Sequence, residues 1–408
     1  MNSTSKYRLL ACTAFAALLA ISAPALASEE GLPIHTPAAK ALFESLQHSY
    51  DAHELNHDLE EIFEDIEHLL DGDAHDIEEA NEILEQLLPG ADGGPQIAAV
   101  TVAETASNIV DQQLTAALHD GASGIAAGEQ HAAGGARFWL QAFGRTSSQD
   151  ARGFDTPYDA DSYGFVAGVD TKALGHGTLA GLAFSYANTE VDSENLNRTN
   201  TDIDSYQITA YGATEFGNHN FVSGMLGYVW SDNENTRILG PDMANGEFDS
   251  EQIIARGKLG HDIKSGNMVM APTLLANYAN YSADDYTETG PSPFNLNVST
   301  EDMDLFEVGV ELDVAWNLKQ SGGATVRPNL VAGYRYDVTQ EEIALVSSFT
   351  GGGGAFSTIG AEPPQNKYNV GGGLKYFADS WELTASYMYD FMEDYDAHSG
   401  MIRAGFKF

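Results

Sequence analysis

Gly400-Met401-Ile402-Arg403-Ala404-Gly405-Phe406-Lys407-Phe408 closes the 408-residue sequence, and these nine residues decide how the rest is read. With period two, Ile402, Ala404, Phe406 and Phe408 share one face. Met401, Arg403, Gly405 and Lys407 share the other, which describes a strand with one apolar and one polar side. The termini of soluble domains usually fray into water. In a closed membrane barrel, by contrast, the last strand must pair with the first and present its apolar face to lipid.

The same alternation recurs upstream. Phe306, Val308, Val310, Leu312, Val314, Trp316 and Leu318 oppose Glu307, Gly309, Glu311, Asp313, Ala315 and Asn317. Trp381, Leu383, Ala385, Tyr387, Tyr389 and Phe391 oppose Glu382, Thr384, Ser386 and Asp390, and Leu330, Ala332, Tyr334 and Tyr336 oppose Arg327, Asn329, Gly333 and Arg335. A dry core on the charged side would strand those charges, so the aromatic side must meet lipid or a second sheet. Twelve strands are predicted near 137–144, 158–171, 177–190, 203–217, 220–232, 250–264, 267–282, 302–318, 324–339, 366–378, 380–391 and 399–408. The linkers between them alternate. Those at 145–157, 191–202, 233–249, 283–301 and 340–365 are long, and the rest are short, such as the tight Gly217-Asn218-His219-Asn220. Long external loops and short periplasmic turns are the habit of outer-membrane barrels, and a sandwich has no need of that regularity. The fold expected is an all-β transmembrane barrel of 12 antiparallel strands at 137–408.

Targeting agrees with export. Lys6 and Arg8, the apolar run Leu9 to Ile21, and Ala25-Leu26-Ala27 form a signal peptide over 1–27 with cleavage at the small residues Ala25 and Ala27. Cys12 is the sole cysteine and falls inside that segment, so neither a disulfide framework nor thiolate chemistry is expected of the mature chain. A net charge of -41 argues against nucleic acid as a partner. After the signal no apolar run reaches the roughly 20 residues of a membrane helix.

Residues 28–90 form an acidic α-helical segment. Leu55, Leu59, Ile62, Ile66 and Leu69, then Ile77, Ala80, Leu84 and Leu87, predict two helices packed as a hairpin about Asp71-Gly72-Asp73. His53-Glu54-Leu55-Asn56-His57 fits H-E-x-x-H, the helical spacing that puts two zinc-binding imidazoles and a glutamate together. On this seam, however, His53 and His57 fall on the outward face, away from any cleft, and a solvated acidic face is the reading preferred to a metal site. A linker and a third helix, near Gln96 to Leu118, occupy 91–136. No nucleophile has an obvious base beside it in sequence, so no enzyme and no cofactor are expected.

The stretches Arg137–Gly144, Tyr163–Asp170, Gly177–Tyr186 and Ile402–Phe408 together resemble the β-domain of the type V autotransporters over roughly residues 90–408. That resemblance implies a twelve-stranded outer-membrane barrel, residues 96–118 as a helix in its pore, and transport of a preceding segment to the cell surface. It also implies insertion by the barrel-assembly machinery with periplasmic chaperones, as a monomeric barrel in outer-membrane lipid. Ile402, Phe406 and Phe408 would then carry the assembly signal. Self-cleaving members carry an Asn-Asn pair in the pore helix, whereas Asn108 here is followed by Ile109. Arg256, Lys258, Arg327, Arg335 and Lys375 project to the same side as Glu307, Glu311, Asp313, Glu382 and Asp390. These lumen charges either line a channel, grip the helix, or pair with one another to stiffen a hydrated wall. The function expected is anchoring and display of the chain's own N-terminal segment. The alternatives are a channel or structural barrel with helices in the periplasm or lumen, and a metal-binding or proteolytic N-terminal module.

Overall fold

The computed structural model describes residues 32–90, 93–120, 136–152, 156–172, 178–196, 198–290, 293–320, 324–360, 363–377 and 381–407. The signal segment with Cys12, Ala25 and Ala27 lies outside the described residues, as do Phe408 and the side chain of Phe406.

Twelve antiparallel strands close into a barrel. They are β1 (Ala136–Gln149), β2 (Tyr158–Thr171), β3 (Leu179–Ser193), β4 (Asn200–Phe216), β5 (Asn220–Leu239) and β6 (Asp242–His261). The circuit continues with β7 (Met268–Ala283), β8 (Met303–Trp316), β9 (Thr325–Asp337), β10 (Asn366–Phe377), β11 (Trp381–Met392) and β12 (Tyr395–Lys407). Each pairs with the next, and β12 returns to β1 from Arg137↔Lys407 to Gln149↔Tyr395. Closure removes the free edges that an open sheet would present to lipid.

The alternation is realised as predicted. Ile402 is 62% exposed, while Met401 and Arg403 on either side are 5% and 3%. Phe306, Val308, Val310 and Leu312 face outward on β8, and Glu307 between them is buried. Aromatic rings run side by side around the outer wall, from Phe165 through Tyr186 and Tyr206 to Trp230, and again from Tyr334 through Tyr368 and Phe391 to Tyr389. Such rings suit the boundary between hydrocarbon and headgroups.

β1 begins and β12 finishes at one end, called here the terminal end. The odd-numbered strands finish at the other, the distal end. There the long-loop expectation needs correction. Residues 233–249 are not a loop: β5 and β6, 20 residues each, run through it to a turn at 240–241, where Gly240 takes φ +60°. The two strands outreach β10 and β11, of 12 residues each, by about 25 Å at roughly 3.3 Å per residue. The segments 283–301 and 340–365 are not bare loops either. They supply a four-stranded antiparallel sheet ordered Phe356–Ile359, Ala344–Phe349, Leu296–Thr300, Tyr286–Thr287.

Three helices dock at this distal end, one more than the expected hairpin. α1 (Pro37–Asp51) is capped by Thr36, α2 (His57–Leu70) by Asn56, and α3 (Ala74–Leu87) by an Asp73–Asp76 capping box. Amide donation from His75 and Asp76 holds the Asp73 carboxyl below its ordinary range. Leu42, Phe43, Leu46, Leu59, Phe63, Ile66 and Leu84 are buried, with the Phe43 and Phe63 rings 5.5 Å apart. Ser45 Oγ donates to the Gly354 carbonyl at 2.8 Å and the Gly354 amide returns to Ser49 Oγ at 2.7 Å, joining α1 to the distal sheet.

Candidate functional site in the barrel lumen

α4 (Gly94–Asp120) runs inside the barrel. Pro95 in its first turn needs no hydrogen-bond partner for a missing N–H. Its hydroxyls are satisfied within the helix: Thr101 donates to Ile97 O at 2.6 Å, Thr105 to Thr101 O at 2.9 Å, and Ser107 to Ala103 O at 2.9 Å. That local bonding lets a Ser/Thr-rich helix sit away from water. At 27 residues and 1.5 Å per residue it is about 40 Å long, enough to thread the barrel.

One face of α4 is apolar. Val102, Ala106, Ile109, Val110 and Leu114 pack with Trp139, Phe143, Val166, Ala183, Ala187, Tyr211 and Met225, so the helix lies against β1 to β5. Trp139 leans over Gly168, where a Cβ would come within 2.5 Å of its ring; glycine is what admits it. Nearer the distal end, Ala98, Ala99, Val100 and Ala103 meet Tyr158, Val191, Ile203, Ile254 and Tyr281. Burying each of the larger side chains contributes up to about 1.5–3 kcal/mol.

The opposite face is polar and meets the charges expected from the sequence. Arg256 reaches Asn108 Oδ1 at 2.6 Å and Asp111 Oδ2 at 3.2 Å. Lys258 lies 2.7 Å from Asp111 and 3.1 Å from Glu311. Arg335 pairs with Glu104 and lies 3.6 Å from Glu307, which Lys367 also approaches at 2.6 Å. Glu382 takes Lys375 at 3.1 Å, Asp313 accepts from Asn329, and Arg327 is buried beside them. The ten sequence-predicted lumen charges therefore all face inward, and three of them, Arg256, Lys258 and Arg335, reach the helix directly. Between α4 and β8 to β12 two cavities of about 70 and 120 Å³ adjoin through shared walls at Asn108, Arg335, Asn369 and Asp390.

Sequence reasoning missed the helix's half of this arrangement. Glu104, Asn108 and Asp111 follow one another at i, i+4 and i+7, a one-face spacing that was there to be read. It also missed Arg145, whose guanidinium lies 2.7 Å from Asp390, and Arg403. The H-E-x-x-H reading is corrected. His53 has φ +57° in the link between α1 and α2, and His57 is the first residue of α2, so the two imidazoles do not share a helix face. Leu55 likewise belongs to the link and not to the helical seam. Among the described residues no group of three or more His, Cys, Asp or Glu is placed to hold a metal ion.

At the distal end the barrel grips the docked helices through one side chain. Arg237 of β5 is fully buried, with Glu288 at 2.9 and 2.5 Å. It also donates to the carbonyls of Gln86 at 3.3 Å, Leu87 at 3.5 Å and Phe294 at 2.9 Å. The carbonyls of the last turn of α3 thereby gain a cation from the wall, where the helix dipole favours one.

Residues 138–388 match the family described as "Autotransporter beta-domain". Outer membrane protein B of Rickettsia prowazekii (strain Madrid E) is 22% identical over 282 residues, covering 66% of this chain and 17% of that protein. The uncharacterized protein YaiT of Salmonella typhimurium is 26% identical over 208 residues, 49% of this chain and 20% of that one. The chain thus spans a fifth or less of the length of these relatives. The translocator domain of the autotransporter NalP from Neisseria meningitidis superposes with a TM-score of 0.57 at 17% identity, over 76% of this chain and 98% of that domain, a likeness of fold.

Proposed function

The chain belongs to the autotransporter β-domain family, as an outer-membrane translocator barrel, and on that premise we propose that it anchors and displays its own helical segment at the cell surface. In this reading the distal end faces outward, α1 to α3 ride on it as a cap, and α4 is the tether that remains in the lumen. The observation that supports it most is the course of the chain: α3 ends against Arg237 at the distal end, and α4 leads from there through the barrel toward β1 at the terminal end. Asn108 is followed by Ile109 and held by Arg256, which fits retention of the tether without cleavage. No bond chemistry is asked of any side chain. Closure of the barrel on itself fits a monomer, and the outward Ile402, with Phe406 and Phe408, is proposed as the signal read by the assembly machinery and its periplasmic chaperones.

Surface labelling of an epitope inserted at the exposed Gly72 tests the reading. Labelling on intact cells is expected. Labelling only after the outer membrane is permeabilised would put the cap in the periplasm and end the display reading. The cavities beside α4 favour a second reading, a channel plugged by its own helix.

A further inference from the structure

We propose that Gln113 is a positioning residue that ties α4 to both sides of the barrel's closing seam, so that seating the helix and locking β1 between β12 and β2 are one event. The seam joins the first strand to the last, and its closure carries the loop entropy of nearly the whole barrel sequence. Gln113 is fully buried beside it. Its Nε2 donates to Asp170 Oδ2 of β2 at 2.9 Å, and its Oε1 accepts from Arg403 Nη1 of β12 at 2.6 Å. Those two strands flank β1 on either side.

Both partners are themselves held. Asp170 accepts from Arg137 of β1 at 3.1 and 3.3 Å and from the Tyr211 hydroxyl at 3.3 Å, and Trp139 Nε1 donates to that hydroxyl at 2.9 Å. Arg403 donates to Thr384 Oγ1 of β11 at 3.3 Å and lies 4.0 Å from Glu382. A polar girder thus crosses the lumen from β11 to β4, and Gln113 is the helix's link in it. The preceding residue leans the same way, with Gln112 Nε2 3.8 Å from the Met401 sulfur. The residue type follows from the partners. A neutral amide donates at one end and accepts at the other, so it can sit between a carboxylate and a guanidinium; a carboxylate or an ammonium in its place would satisfy only one.

Amide hydrogen exchange on the full-length protein in lipid nanodiscs tests this, comparing residues 137–144 and 399–406 with the far wall, 222–232 and 252–260. Gln113→Glu keeps the size and the Arg403 contact but sets a carboxylate against Asp170. It is expected to speed seam exchange about tenfold while leaving the far wall unchanged. Gln113→Leu is expected to do the same or more, and Thr115→Ala, which faces the cavity, to do neither. If Gln113→Leu fails to fold, the isosteric Gln113→Glu decides alone. Unchanged seam protection in Gln113→Glu, or a loss spread evenly over both walls, would overturn the proposal.

Discussion

The two halves of the lumen hold the same helix by opposite means. Against β1 to β5 the contact is dry and close-fitting: small residues such as Ala183 and Ala187 bring the wall up to Ile109 and Val110, and aromatic rings fill what remains. Against β6 to β12, beyond the apolar contacts with Ile254 and Tyr281 near the distal end, ion pairs reach across space, with cavities left between. Packing of the first kind carries most of the binding energy but tolerates sliding between similar apolar positions. Charge pairs of the second kind add less net energy, because desolvation offsets attraction, but they pay off only in one register and one rotation. The apolar half seats α4, and the charged half says where.

The strongest test of this division removes the helix from both halves at once. Deleting residues 34–120 should leave a wall with uncovered charge on one side, and conductance across planar bilayers is expected to rise by roughly tenfold or more. Conductance equal to that of the full chain would mean that the walls collapse together without the helix, and that the charged half does not need it as a spacer.

Next in size is a cut into the apolar half. Ile109 has no exposure, so Ile109→Ala should cost about 2–4 kcal/mol, read as a lower midpoint for heat-induced unfolding of the barrel. Asp111→Asn, on the other side, is expected to cost less, about 1–2 kcal/mol. Lys258 keeps Glu311 as a partner, Arg256 keeps Asn108, and the adjoining cavity can admit water to the orphaned groups. A larger loss in Asp111→Asn than in Ile109→Ala would reverse the ranking of the two halves.

What the sequence disclosed follows the same physics. Within the membrane band one face of every strand meets lipid and the other meets water or α4, so apolar and polar residues alternate and strands such as β8, β9 and β11 can be read directly. Above that band both faces are polar. On β5, Asp232 and Glu234 point out while Asn233 and Asn235 point in, and a period of two carries no contrast there. Residues 233–249 therefore read as a loop although they form the tallest hairpin of the barrel. α4 shows the converse. Surrounded on all sides, it has no solvent face to mark its register, so the one-face spacing of Glu104, Asn108 and Asp111 stood out only once the wall's cations were in place beside it. α1 escaped because its apolar positions partner α2, α3 and the distal sheet, not a single seam. Gln113 left no signal at all, since one amide acquires its role only from two strands far away in the sequence.

The smallest expected effect sharpens the comparison most, because it asks the same question of each side with the same side chain. Ala106 is 3% exposed against the dry wall, and Ala106→Leu would force a branched chain into packed space, at a cost of about 1–3 kcal/mol in barrel stability. Thr115 lines the cavity of about 120 Å³ on the charged side. There Thr115→Leu adds similar bulk to a helix position with room beside it, and the unfolding midpoint should stay within the equivalent of about 0.5 kcal/mol. Equal losses at both sites would show that the cavity is closed in the working protein and that α4 is gripped as tightly by the charged wall as by the apolar one. A loss confined to Ala106→Leu would leave the charged half as a positioning surface with slack in it.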